Sequence, residues 1–80
     1  MNNLIDAEVE RACWSFATFL EATAESSLKK CKEEIKEIEA NHAASIRDPE
    51  EYADAIMCLF DSAAREGISA REIEAAYFAM

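Results

Sequence analysis

Four acidic residues stand out by their spacing. Glu34 and Glu37 are three apart, and so are Glu51 and Asp54, with thirteen residues between the two pairs. On a helix, residues three apart share a face, so each pair points in one direction. If the two helices pack against each other as antiparallel neighbours, the pairs come to similar heights. Four carboxylates meeting in this way repel one another. A hard divalent cation relieves the repulsion, and an all-oxygen ligand set suits Mg²⁺ or Mn²⁺ rather than Zn²⁺. Such an ion at a protein surface is suited to a nucleoside triphosphate, because it can bridge phosphate oxygens, polarise phosphorus and activate water. The plainer alternative is a solvated acidic face, since 17 of the 80 residues are Asp or Glu and charge runs usually face water.

Two neighbouring patterns bear on that choice. The face that carries Glu51 and Asp54 continues through Ala55, Cys58, Asp61 and Ser62, with no long charged side chain before Arg65. Small and polar residues at those positions are what the wall of a cavity needs. Lys30 precedes Glu34 by one turn, where it either reaches a phosphate or forms an i,i+4 pair with Glu34. Trp14 lies off the apolar stripe of its helix, which leaves it for a partner chain, a stacked base or partial exposure. Tyr52 and Phe19 are the other rings suited to stacking. His42 is the single histidine and falls near a helix end, which favours a surface position.

The elements that position these residues are helical. The chain holds 16 Ala but one Gly and one Pro, and 51% of it is hydrophobic. That composition argues for a single all-α domain and against disorder or an all-β fold. Four helices are expected, over about 4–20, 27–44, 49–66 and 70–80. Asn3 suits the first N-cap. The second helix carries Leu28, Cys31, Ile35 and Ile38 as its apolar seam. Asp48-Pro49-Glu50-Glu51 starts the third with an N-cap, a proline at the first position and an acid at the third. Gly67 ends it, and Ser69-Ala70-Arg71-Glu72 is a capping box for the fourth. The first helix is expected to bury Ile5, Val9, Ala12, Phe16, Phe19 and Leu20. The third is expected to bury Tyr52, Ile56, Leu59, Phe60 and Ala63, with Met57 also read as core.

Composition also excludes partners. The net charge of −9 repels nucleic acid and anionic membranes. No apolar run is long enough to span a bilayer. Cys13, Cys31 and Cys58 are odd in number and widely spaced, which points to reduced thiols and a cytoplasmic setting. A domain this small has a marginal core of its own, so oligomerisation is expected to make up the deficit.

The wider sequence resembles a known family. Glu34-x-x-Glu37, the gap, and Glu51-x-x-Asp54 are similar to the metal-binding signature of the MazG-like, all-α nucleoside triphosphate pyrophosphohydrolases. The stretches 27–37, 48–56 and 59–69 resemble the dATP/dGTP diphosphohydrolase branch, common in phages and prophages. The resemblance covers about residues 26–79. It implies hydrolysis of a purine deoxynucleoside triphosphate to monophosphate and pyrophosphate, in a four-helix bundle completed by homodimer or homotetramer formation. It also implies that Glu34, Glu37, Glu51 and Asp54 hold Mg²⁺ at the catalytic centre. Lys30, Asp61, Arg65 and Trp14 are then the candidates for substrate binding, with Asp61 near the metal or the sugar. Relatives usually carry a Lys, then Asn and Arg, on the last helix, and this sequence stops at Met80, about where that Lys falls. A non-catalytic helical oligomer that binds nucleotide is therefore the alternative expectation.

Overall fold

The computed structural model describes residues 3–80. Among them are four helices and no strand: α1 (Leu4–Thr18), α2 (Ala24–Ala43), α3 (Pro49–Arg65) and α4 (Ala70–Ala79). Asn3, Asp48 and Ser69 cap α1, α3 and α4 through their side-chain oxygens, and Glu72 completes the box at Ser69. Two ends differ from expectation. α1 stops at Thr18, short of Leu20. α2 begins at Ala24 rather than at Ser27. Its start is a reciprocal cap, in which the Ser26 amide donates to Thr23 Oγ1 (3.1 Å) and the Thr23 amide donates to Ser26 Oγ (2.9 Å). The apolar seam starts only at Leu28, so the first turn of α2 is invisible to hydrophobic periodicity.

The connections after α2 and α3 close by the same device. The Ile68 amide donates to the Ala63 carbonyl and the Gly67 amide to Ala64, with Gly67 at φ 85. This is the paired bonding that ends a helix on a left-handed residue. After α2 the Ile46 amide donates to Asn41 and the Ser45 amide to His42, with Ser45 at φ 60. Here a serine takes the position that glycine usually fills.

α2 and α3 form an antiparallel hairpin along most of their length, and α1 and α4 pack against α3 and each other. The hairpin seam is small and polar. Ser62 Oγ donates to the Ala24 carbonyl (2.9 Å), Ser27 Oγ donates to Asp61 Oδ2 (2.6 Å), and Cys31 Sγ faces the Ala55 carbonyl at 3.6 Å. The buried residues are Glu8, Ser15, Ala24, Ser27, Cys31, Glu34, Ala55 and Ser62.

The apolar stripes face outward instead. Leu28, Ile35, Tyr52, Ile56, Met57 and Leu59 are all exposed, as are Val9, Phe16, Phe19 and Leu20. Of the residues expected inside, Cys31 is buried and Ile5, Ala12, Ile38, Phe60 and Ala63 are half-buried. Met57 and the Tyr52–Ile56–Leu59 face are therefore corrected from core to surface. The physical reason is side-chain size. Ala, Ser and Cys let α2 and α3 approach closely, and the bulkier aliphatic residues are left on the flanks.

Among the described residues, no helix is long and apolar enough to cross a membrane. The three cysteines are free. Burial pushes the Cys58 thiol up.

Candidate active site

Three of the four signature acids meet. Each of Glu34, Glu37 and Glu51 offers one carboxylate oxygen, and these oxygens lie within 4.8 Å of one another. The hairpin produces this directly. Glu34 and Glu37 share a face of α2, and Glu51 sits in the first turn of α3 just across the short connection. Glu34 is buried, Glu51 half-buried and Glu37 exposed. Asp54, one turn farther along α3, is exposed and stands outside this set.

The electrostatics fit a cation. A shared hydrogen bond with Glu37, burial and the negative charges of Glu37 and Glu34 push Glu51 up to about 7. Glu51 Oε2 is enclosed and has no donor within reach. The hydrogen bond shared with Glu37 needs a proton on Glu51, and a bound ion would take that proton's place. Three carboxylates around one gap form a hard, all-oxygen donor set, so the residues present fit a divalent ion such as Mg²⁺. Lys30 Nζ lies 3.3 Å from Glu34 Oε1. Lys30 thus makes the i,i+4 ion pair, and its side chain also lines a cavity.

That cavity has a volume of about 330 Å³ and lies between α1 and the hairpin. Trp14, Phe19, Lys30, Met57, Asp61 and Arg65 are among its lining residues. All four candidates for substrate binding thus face one space, one turn along α2 from the carboxylates. Trp14 and Phe19 pack edge to face, with ring centres 5.5 Å apart.

Asp61 and Arg65 are also structural. Arg65 Nε donates to Asp61 Oδ2 (2.8 Å), one terminal nitrogen donates to the Ala22 carbonyl (3.0 Å) and the other to Ser15 Oγ (2.9 Å). Its guanidinium also lies 4.9 Å from the centre of the Phe16 ring. Asp61 accepts from Ser27, Arg65 and Arg11. Burial would raise its carboxyl, but these bonds and one from Ser15 outweigh it and hold Asp61 well below the usual carboxylate range. The pair clasps α1 to the hairpin and shapes the cavity wall.

Sequence reasoning missed Arg11, Glu8 and Ser15. Arg11 Nε donates to both Glu8 oxygens (3.0 and 2.8 Å), and a terminal nitrogen donates to Asp61 Oδ1 (3.1 Å). The signal in the sequence is the helical spacing of residues 8, 11 and 15, but the partners of Arg11 and Ser15, namely Asp61 and Arg65, lie 50 residues away.

The family described as dATP/dGTP pyrophosphohydrolase matches residues 7–79, nearly the whole chain. The chain belongs to this family. No curated protein and no solved structure matches it. The family's name implies a nucleotide substrate and a pyrophosphohydrolase reaction. Its span takes in the carboxylates, the cavity and the Asp61 clasp.

Proposed function

We propose that this protein is a Mg²⁺-dependent hydrolase that converts purine deoxynucleoside triphosphates, dATP or dGTP, to the monophosphate and pyrophosphate. The observation that carries the reading is the convergence of Glu34, Glu37 and Glu51 beside a cavity lined by Trp14 and Lys30. When bound, a divalent ion supplies charge neutralisation at phosphate and a more acidic water, and Mn²⁺ can substitute for Mg²⁺. The chain's own residues do the rest. Glu34, Glu37 and Glu51 hold the ion, and Asp54 joins them from the rim. Lys30 approaches the phosphates while paired with Glu34. Trp14 and Phe19 offer ring surface for a purine. Asp61 and Arg65 keep the wall rigid around the sugar. A water oxygen bonds to the α-phosphorus and gives up a proton to solvent, the bond from that phosphorus to its bridging oxygen breaks, and pyrophosphate leaves with the electron pair.

The reading includes a homodimer or homotetramer. A monomer of 8.9 kDa ordinarily exposes about 4,800 Å². This chain exposes 6163 Å². The difference exceeds the roughly 800 Å² that one partner buries in a standard interface. The outward stripe of Leu28, Ile35, Ile56 and Leu59 is the surface for a second copy.

The test is to incubate the protein with each common nucleoside triphosphate and Mg²⁺. Release of pyrophosphate, rather than orthophosphate, from dATP or dGTP is expected, and Glu37→Gln should abolish it. Failure to turn over any of the substrates would overturn the reading. Nucleotide binding without turnover would instead identify a binding module.

A further inference from the structure

A second cavity lies on the far side of the carboxylates. It has a volume of about 310 Å³ at the α2–α3 turn, and Asn41, Arg47, Glu51 and Tyr52 are in its wall. α2 presents Lys30, Glu34, Glu37 and Asn41 at spacings of four, three and four, which places them on one face. Lys30 lines the first cavity and Asn41 the second. The stripe is about 16 Å long at 1.5 Å per residue, with the acids in the middle and one cavity a turn away on either side.

Two observations point to a ligand there. Glu51, whose enclosed Oε2 has no hydrogen-bond partner, belongs to this wall as well as to the acidic cluster. Arg47 is the one arginine outside an ion pair among the described residues, whereas Arg11, Arg65 and Arg71 all have carboxylate partners. The Arg47 guanidinium is therefore free for a ligand in the wall that it shares with Glu51. The other acid of this wall, Asp48, caps α3 by accepting the Glu50 amide at 3.0 Å.

We infer that the cavity at the α2–α3 turn takes the pyrophosphate end of the nucleotide, with Arg47 as the charged donor and the Asn41 amide as a neutral one. This rests on the function proposed above. If the nucleoside occupies the Trp14 cavity and the α-phosphorus lies at the carboxylates, the two remaining phosphates extend towards the turn. As the bond to the α-phosphorus breaks, the electron pair goes onto the leaving pyrophosphate. A guanidinium placed at that group meets the growing charge.

The experiment titrates inorganic pyrophosphate with Mg²⁺, and separately dAMP, into the full chain and into Arg47→Gln, followed by calorimetry. Arg47 is exposed, so the variant should keep its helical circular dichroism, and Asn41→Ala serves as a second, weaker variant. Arg47→Gln should weaken pyrophosphate binding roughly 10- to 100-fold, as expected for lost charge-assisted bonds, and leave dAMP unchanged. Unchanged pyrophosphate affinity, a loss falling on dAMP instead, or no pyrophosphate binding by the unaltered chain would each overturn the inference. Turnover is scored separately. A chain that hydrolyses dATP but binds pyrophosphate independently of Arg47 rejects this inference alone. One that binds pyrophosphate through Arg47 without hydrolysis rejects only the proposed reaction.

Discussion

Ser27 Oγ donates a 2.6 Å hydrogen bond to Asp61 Oδ2, and the same carboxylate accepts from Arg65 on α3 and Arg11 on α1. One acid therefore joins three helices. The guanidiniums it holds are largely sheltered, with side-chain exposures of 6% for Arg65 and 19% for Arg11. Replacing Asp61 leaves Arg65 without a carboxylate partner and Arg11 with Glu8 alone. Asp61→Asn should destabilise the fold by about 3 kcal/mol, the lower end for breaking a buried ion pair. The shift in the midpoint of urea unfolding measures it. A change below about 0.5 kcal/mol, typical of an exposed surface pair, would show that the clasp does not hold α1.

The stability of the metal-free protein should depend on pH in two opposed ways. Asp61 is held well below its ordinary value, so the native state binds fewer protons than the unfolded chain in acid. Its contribution is complete above the ordinary Asp range and is lost progressively as pH falls from there towards the depressed folded value. Glu51 is raised from 4.5 to about 7, so the native state binds more protons between those values. Stability from this site falls as pH rises from about 4.5 to about 7. Melting temperature against pH should therefore peak on the acid side of neutrality. Glu51→Gln should flatten the fall towards pH 7, and saturating Mg²⁺ should reverse it.

Much of this site could be read from spacing. Two pairs of acids at i,i+3 and a connection too short for anything but an antiparallel hairpin bring Glu34, Glu37 and Glu51 together. Of the small and polar residues on that face, Cys58 and Asp61 line a cavity, whereas Ala55 and Ser62 are buried in the seam between α2 and α3. What periodicity could not reveal was which stripe faces inward. Burial of large apolar side chains holds for a finished core, and it placed Ile56, Met57 and Leu59 inside. The chain alone closes instead on Ala24, Ser27, Cys31 and Ala55. Asp54 misses the acidic set because its place on the signature does not bring a side chain one methylene shorter than Glu to the same gap. Arg11 and Ser15 find their partners across more than 40 residues of sequence, and no local pattern announces such bonds.

Trp14 offers an exposed ring at the mouth of the first cavity, packed edge to face on Phe19. A purine stacked there contributes to binding but not to bond breaking. Trp14→Ala should raise KM for dATP roughly 5- to 100-fold, the range for one lost base–aromatic stack, with kcat within about twofold. Equal losses in kcat would place the ring at the reacting phosphate instead. Steady-state kinetics separate the two outcomes.

The outward apolar stripe makes the last expectation. Leu28 and Ile35 on α2 and Ile56 and Leu59 on α3 are each more than two-fifths exposed, with values of 41, 45, 42 and 51%. Four large aliphatic side chains on one hairpin are costly to leave in water, at roughly 1.5–3 kcal/mol for each that is fully buried. A second copy of the hairpin removes that cost, and the three-four spacing of Leu28 and Ile35 with Cys31 suits helix packing. Sedimentation should give a dimer or tetramer at micromolar concentration. Ile35→Glu should shift it to monomer, lower the melting temperature and leave the Glu34–Glu37–Glu51 oxygens in place on their own hairpin. Because these acids come from one chain, the monomeric variant should still bind Mn²⁺. If Ile35→Glu kept the assembly intact, the α2–α3 stripe would not be the interface. If it lost Mn²⁺ along with the assembly, the partner chain would be needed to hold the acids in register.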